Sequence, residues 1–313
     1  MELIRNFKKL DKGDVDLAGG KGASLGEMTQ AKIPVPPGFV LLSGAFDRFL
    51  EETDIDVEID AIIKKVNHED INSVEKASIK IRSLIDSADM PEDIASAVKK
   101  EFKKLNAKYV AVRSSATAED SADASWAGEL ESYLNTTDKD LLEKVKKCWS
   151  SLFTPRAIFY RFEKKLHTSK VSVAVVVQKM IQSTVSGIAF TVHPVTEDKN
   201  QMILEAGWGL GEAIVSGMVT PDAYVIDKTD FSIIDINVAD QAKQIIKTPK
   251  GNEFTAVPVS KRDDQKLTGV QIVELAKICA NIEKHYDFPC DIEWAWHNKE
   301  FYIVQSRPIT TLQ

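Results

Sequence analysis

Apolar residues fall into short alternating runs along parts of this chain and into helical spacing along others. Residues 1–50 open with a strand-like run and a Gly-rich turn, Ala18-Gly19-Gly20-Lys21-Gly22, with a helix predicted from Ala23 to about Ala31. Pro34-Val35-Pro36-Pro37-Gly38 forbids helix and leads into a strand over Phe39 to Leu42. Ser43 stands where it could cap the next helix, through Phe46 and Leu50. Residues 51–107 are charge-rich, with Ile, Val and Leu at helical spacing. Pro91 falls in a first turn there, and Ile94, Val98 and Phe102 form one stripe. Character changes at Tyr109. Tyr109 to Arg113, Val171 to Met180, Val185 to Thr191, Met202 to Glu205 and Ala223 to Ile226 read as strands. A helical pair lies among them, its second member capped by Thr154 with Pro155 at the first helical position. A further helix, about Leu267 to Tyr286, leads into a final hairpin. Hairpins mixed with helices predict an α+β fold rather than a doubly wound one, with subdomains at 1–108 and 109–313.

The final hairpin, Asp291 to Ile309, is the most informative stretch. Strand alternation puts Asp291 and Glu293 on one face of its first strand, and Gln305 and Arg307 on one face of its second. Trp294, Trp296, Tyr302 and Val304 are then left for a core. A three-residue turn at Asn298 to Glu300 would set Glu293 opposite Gln305 and Asp291 opposite Arg307. A two-residue turn would separate them, because a one-residue slip reverses every side chain. Two carboxylates, an amide and a guanidinium on one patch suit Mg²⁺ and phosphate, whereas an ordinary amphipathic hairpin with one wet face explains the segment alone about as well.

Composition narrows the classes. The chain has 313 residues and a formal net charge of −7, which disfavours nucleic-acid binding driven by bulk charge. The three cysteines, Cys148, Cys279 and Cys290, lack metal-ligand spacing and read as ordinary thiols of a reducing cytosol. No apolar run is long enough to cross a membrane, and the first residues lack an apolar signal core, so a cytoplasmic protein is expected.

Several other segments carry candidate chemistry. Gly19-Gly20-Lys21-Gly22-Ala23-Ser24 puts a lysine on a flexible turn at a helix start, where backbone N–H groups can approach phosphate; a plain Gly-rich turn is the competing reading. Arg113 ends a strand before a run of small hydroxyl residues that continues to Trp126 and Gly128; its fork suits a phosphate, with a solvated surface loop as the competing reading. The strand end Gln178-Lys179-Met180-Ile181 could offer backbone groups to an adenine edge, although a buried strand explains it equally well. Gly207-Trp208-Gly209-Leu210-Gly211-Glu212 lacks the context of a dinucleotide-binding fingerprint and fits better as a turn presenting Glu212 to a ribose or another polar ligand. Among the five histidines, His193, before Pro194 at a strand end, is the one worth testing, and structural roles are favoured for all.

The ordered set Gly19 to Met28, Pro34 to Phe39, Val112 to Ala116, Ala127-Gly128, Gly209 to Glu212 with Thr220-Pro221-Asp222, and Gln305 to Pro308 resembles the N-terminal nucleotide-binding domain of phosphoenolpyruvate synthase. Pyruvate phosphate dikinase and rifampicin phosphotransferase share that domain. The resemblance covers almost the whole chain and implies an ATP-grasp-type fold of two or more subdomains with nucleotide held between them. It implies ATP and Mg²⁺ as cofactors. Lys21 and Arg113 would hold ATP phosphates and Arg307 a phosphate, as the catalytic set. Glu293 and Gln305 would ligate Mg²⁺. Gln178, Lys179, Met180 and Ile181 would meet adenine, Glu212 would approach the ribose, and Gly128 and Asp291 complete the nucleotide-binding set.

Two departures matter. Synthase-type relatives carry Ala-Gly-Gln-Gln where this chain has Ala127-Gly128-Glu129-Leu130, which exchanges two amides for a carboxylate and an apolar group beside the phosphates. In the family, a mobile domain carries a phosphorylatable histidine and a third domain binds the acceptor. No histidine here matches the carrier motif. The resemblance therefore implies a half-reaction, with phosphoryl or pyrophosphoryl transfer from ATP to a histidine on another domain or chain. The acceptor (pyruvate, an antibiotic hydroxyl or a glucan) stays open. A non-catalytic nucleotide-binding regulatory module is the second reading. An ATP-grasp ligase acting through an acyl phosphate is a third.

Overall fold

The computed structural model describes residues 2–117, 130–166 and 171–310. They form two compact units, 1–27 with 37–180 and 28–36 with 181–313, and the chain passes between them at Glu27/Met28, Pro36/Pro37 and Met180/Ile181.

Unit 1 contains, in chain order, β1 (Ile4–Asn6), α1 (Val15–Gln30, whose last residues belong to unit 2), β2 (Gly38–Leu41), α2 (Ser43–Glu52), α3 (Ile55–Ile63), α4 (Ile71–Ser87) and α5 (Glu92–Leu105). It continues with β3 (Val110–Ala116), β4 (Ser132–Thr136), α6 (Leu141–Ser150), α7 (Pro155–Glu163) and β5 (Val173–Lys179). Its sheet has the order β1-β2-β5-β3-β4, antiparallel throughout. Alternation sends Val110, Val112, Val173, Val175, Val177, Phe39 and Leu41 to a core shared with the helices, where Phe49 stacks on Trp149 at 4.9 Å. The predicted stripe of Ile94, Val98 and Phe102 is buried there. Thr154 caps α7 by accepting from Ala157 N–H at 3.1 Å, with Pro155 at the first position. Ser43 does not cap its helix. Leu42 occupies the cap position, and the Ser43 hydroxyl donates instead to Asp16 O at 3.0 Å.

Residues 109–180 were expected with the second subdomain, but they lie in unit 1. β3 pairs along its length with β5, and β5 pairs with β2, so a break at residue 108 would cut a continuous ladder.

Unit 2 contains β6 (Val185–Phe190), β7 (Gln201–Trp208), α8 (Glu212–Val215), β8 (Asp222–Asp227), β9 (Ile233–Asn237), β10 (Lys243–Thr248), β11 (Gly251–Ala256), α9 (Gly269–Tyr286), β12 (Cys290–His297) and β13 (Glu300–Pro308). Its main sheet is antiparallel, with the order β13-β12-β6-β7-β8-β9, and β10 and β11 form a separate hairpin. Thr268 and Gln271 close a capping box at the start of α9, and Ile272, Leu275, Ala276, Cys279 and Ile282 are its buried face. The outer strand β9 and the β10–β11 hairpin are elements that the sequence pattern did not announce.

One buried ion pair fastens the far end of this unit. Asp222 and Lys266 pair at 2.9 Å with both side chains fully buried. Asp222 also accepts from Tyr224 hydroxyl (2.7 Å), Ala239 N–H (2.9 Å) and Lys266 N–H (2.9 Å). Lys266 Nζ reaches Ala239 O at 2.6 Å. Every lone pair and proton that burial would strand has a partner, as a dehydrated pair requires.

Candidate nucleotide site

The β12–β13 hairpin places Glu293 opposite Gln305 and Asp291 opposite Arg307. The route to that register differs from the expected one. His297 pairs with Glu300, so the turn holds only Asn298 and Lys299, both with positive φ (50° and 65°), as a tight two-residue turn requires. The register then shifts between Glu293 and Trp294, where Val304 is the extra residue of a β-bulge. The bulge supplies the one-residue offset assigned in sequence to a longer turn. It also corrects the core face. Phe301 and Ile303, opposite Trp296 and Trp294, are the buried pair, while Tyr302 and Val304 are only half-buried. Phe301 packs edge-on to Trp294 at 5.6 Å.

Opposite residues of a ladder share a face, so the face that carries the patch continues onto β6. Asp291 faces Phe190 and Glu293 faces Ile188 on β6. Gln305, Arg307, Asp291 and Glu293 therefore share one face, and the Trp294 face is turned the other way. Arg307 donates twice to Asp291 Oδ2, from Nε at 2.9 Å and Nη2 at 2.7 Å. The Arg307 side chain is 41% exposed and that of Asp291 13%. Asp291 thus orients a guanidinium that solvent and ligands can still reach. Sequence reasoning did not single out Glu205 on β7. Burial, then the charge of Asp291, pushes its carboxyl above the ordinary range, which places a third acid within electrostatic reach of this patch. The donor set of carboxylate and amide oxygens is chemically suited to Mg²⁺. Among the described residues, no group of three or more His, Cys, Asp or Glu is arranged to enclose a metal by itself. The protein would supply part of a coordination shell, which is the usual arrangement when phosphates and water complete it.

The Gly-rich turn of unit 2 is held from both sides. Gly209, at φ 90°, passes so close to β10 that a Cβ would lie 2.5 Å from Ile245 O. Its N–H donates to Thr184 O at 3.0 Å, and its carbonyl accepts from Ser183 Oγ (2.9 Å) and Ser186 Oγ (2.7 Å). Buried Gln241, another residue missed in sequence, braces Trp208 through its N–H (2.8 Å) and its carbonyl (3.0 Å). This frame sets Glu212 at the first position of α8, where Asn252 of β11 reaches its carboxylate at 3.2 Å. Asp222, at the end of the Thr220-Pro221-Asp222 motif, is the buried structural anchor described above.

Unit 1 gathers a second set. Arg113 is opposite Val176, Ala111 is opposite Gln178, and Gln178 is opposite Gly38, so Arg113 and Gln178 share the face turned away from the helical core. Both are buried in the sheet. α1 breaks at Gly19 (φ 68°, ψ 171°), where a Cβ would overlap Ser115 O and Oγ at 2.3 Å. Ser115 Oγ accepts from Gly22 N–H at 3.2 Å. The expected Gly-rich turn is thus confined to the break at Gly19, and Lys21 lies in the helical segment after it, docked on the end of β3 two residues beyond Arg113. Burial pushes the Cys148 thiol up to about 12, and the Ser114 hydroxyl and the charges of Lys21 and Arg113 pull against that rise. Both cations therefore lie within Coulombic range of one point in unit 1. Lys179 is exposed; its N–H donates to Pro37 O at 2.9 Å, and Met180 N–H donates to Tyr109 O at 3.0 Å. Ile181 is the first residue past the crossing into unit 2. Gly128 and Glu129 lie outside the described residues; Leu130 packs against the core.

His193 Nδ1 accepts from Val195 and Thr196 N–H, each at 3.2 Å, so it serves its own turn. Burial pushes the Cys290 thiol up to about 12 and raises Cys279 as well. Among the described residues, no helix is long and apolar enough to cross a membrane.

Residues 15–313 match the family described as the pyruvate phosphate dikinase, AMP/ATP-binding domain. A probable phosphoenolpyruvate synthase of Methanocaldococcus jannaschii is 44% identical over all of this chain and 27% of its own length. The phosphoenolpyruvate synthase of Pyrococcus furiosus is 42% identical over 99% of this chain and 44% of its own length. A rifampicin phosphotransferase of Bacillus subtilis is 39% identical over 99% of this chain and 36% of its own length. The chain thus spans less than half the length of each of these relatives. Match and fold agree: the chain belongs to the pyruvate phosphate dikinase AMP/ATP-binding family and has its α+β, ATP-grasp-type fold.

Proposed function

We propose that this chain binds Mg-ATP and catalyses the first half of a dikinase-type reaction. A phosphoryl or pyrophosphoryl group would pass from ATP to a histidine on another domain or chain, with the final acceptor bound elsewhere. The observation that carries this reading is the hairpin register, which sets Glu293 beside Gln305 and Asp291 beside Arg307.

In this reading Lys21 and Arg113 take phosphate oxygens in unit 1. Glu293 and Gln305 hold Mg²⁺ in unit 2, and Arg307, oriented by Asp291, takes a further phosphate oxygen. Mg²⁺ would neutralise phosphate charge that builds up as the bond to the leaving phosphate lengthens. The protein groups position and stabilise charge, which is most of what phosphoryl transfer requires. Glu212 accepts from a ribose hydroxyl. The Lys179 and Met180 N–H groups bond Pro37 O and Tyr109 O within unit 1, so the adenine contact at this strand end falls to groups other than these two.

Labelled ATP tests transfer directly when the part of the Pyrococcus furiosus relative that this chain does not cover, where the family resemblance would put the carrier histidine, is supplied as a separate chain. The expected result is label on that histidine, reduced at least about 100-fold by Lys21→Ala or Arg113→Ala, the size seen when one charge-stabilising group is removed. Intact ATP binding with no labelling would favour a non-catalytic nucleotide-binding module instead.

A further inference from the structure

Helix α4 of unit 1 carries none of the groups assigned above, yet it is linked through Glu131 to the strand that bears Arg113. Arg82, on α4, donates from Nη2 to Glu131 Oε1 at 3.0 Å. The other carboxylate oxygen of Glu131 accepts from the Tyr133 hydroxyl. Burial, and then that contact, raises the Tyr133 phenol, so it stays a donor. The Glu131 carbonyl accepts from Ser114 N–H at 3.2 Å and from Ser114 Oγ at 2.9 Å. Ser114 Oγ also lies 2.9 Å from Ser151 Oγ, whose own hydroxyl bonds Cys148 O at 2.7 Å. Arg113, the neighbour of Ser114, stands opposite Ser132, the neighbour of Glu131.

The β3–β4 ladder is irregular between Val110 and Val112 and ends at the Arg113–Ser132 pair. Past that pair, Glu131 holds β3 on its β4 side. Its carboxylate is clamped from two directions, by a cation on α4 and by a phenol on β4. Without Arg82, the phenol, on the short strand that follows Glu131, is the partner left to that carboxylate among the described residues. A backbone shift of an ångström there re-aims the Arg113 fork, and a planar fork tolerates such misplacement poorly. The Arg82 and Glu131 side chains are 29% and 32% exposed, so the pair itself adds little to global stability. Its geometry matters more than its strength.

We infer that Arg82 is a positioning residue for phosphate binding, acting through Glu131 and Ser114 on Arg113. The inference rests on the role proposed above for Arg113. The test compares affinities for Mg-ATP and for adenosine, which lacks phosphates, in the wild type, Arg82→Met, Arg82→Lys and Arg113→Ala. Arg82→Met is expected to weaken Mg-ATP about tenfold, a loss of the order of one hydrogen bond, and to leave adenosine within about twofold. Arg82→Lys, which keeps the charge, should recover most of the loss. Equal weakening of both ligands by Arg82→Met would mean a merely structural role and overturn the inference. Wild-type ATP affinity in Arg82→Met, with Arg113→Ala weakened, would overturn it and leave the role of Arg113 standing. Unchanged ATP affinity in Arg113→Ala would remove the role of Arg113 and the inference with it. If Arg82→Met fails to fold, Glu131→Gln is read by the same ATP-to-adenosine ratio, with the same expectation.

Discussion

Unit 2 contains two aspartate–cation pairs that teach opposite lessons. Asp222–Lys266 is fully buried, and backbone and hydroxyl donors complete its shell. Asp291–Arg307 lies on the sheet face, with Asp291 mostly covered and Arg307 41% exposed. The first pair has no capacity left for a ligand and fastens the 239–267 segment to β8. The second fixes the direction of a cation while leaving it reachable. One chemistry, an aspartate with a cation, is structural where solvent is absent and suited to a ligand where solvent remains.

The largest effect expected from breaking this contrast comes from the buried side. Lys266→Met should cost about 3–5 kcal/mol of stability, because an unpaired carboxylate stays in the interior. Chemical denaturation measures it, and a loss below about 1 kcal/mol would mean that water reaches Asp222. Arg307→Met should cost no more than about 1 kcal/mol, as exposed pairs do, while weakening Mg-ATP binding strongly. A large stability loss with unchanged binding would reverse the assigned roles of the two pairs.

The smallest effect concerns Glu205 and has a definite sign. Its carboxyl is raised by burial and then by Asp291, so the folded state holds a proton that the unfolded state releases. Stability is therefore lost as pH rises from the ordinary carboxylate range through the raised value. Glu205→Gln should raise the melting temperature at neutral pH, and the gain should vanish below the ordinary carboxylate range. A gain that persists at low pH would assign the effect to packing rather than charge.

Much of this was legible in the sequence. The helices, the strand core and the α+β class follow from periodicity and caps, as at Thr154 and in the Ile94, Val98 and Phe102 stripe. Alternation alone named the faces of Asp291, Glu293, Gln305 and Arg307. The turn was misread because a tight turn plus a bulge at Val304 gives the same register at that end as a three-residue turn. Only the turn-proximal residues distinguish the two, and they moved Phe301 and Ile303 into the core. Glu205, Gln241 and the Arg82–Glu131 contact were hidden for another reason. Each acts across strands or helices distant in sequence, and no local pattern encodes such a contact.

The central claim is that the hairpin register makes a Mg-ATP site. Calorimetric titration of ATP into this chain, with and without Mg²⁺ and in wild type and Glu293→Ala, tests it most directly. The account predicts Mg²⁺-dependent binding in the wild type that is lost in Glu293→Ala. Binding equally tight without Mg²⁺, or unchanged in Glu293→Ala, would contradict it.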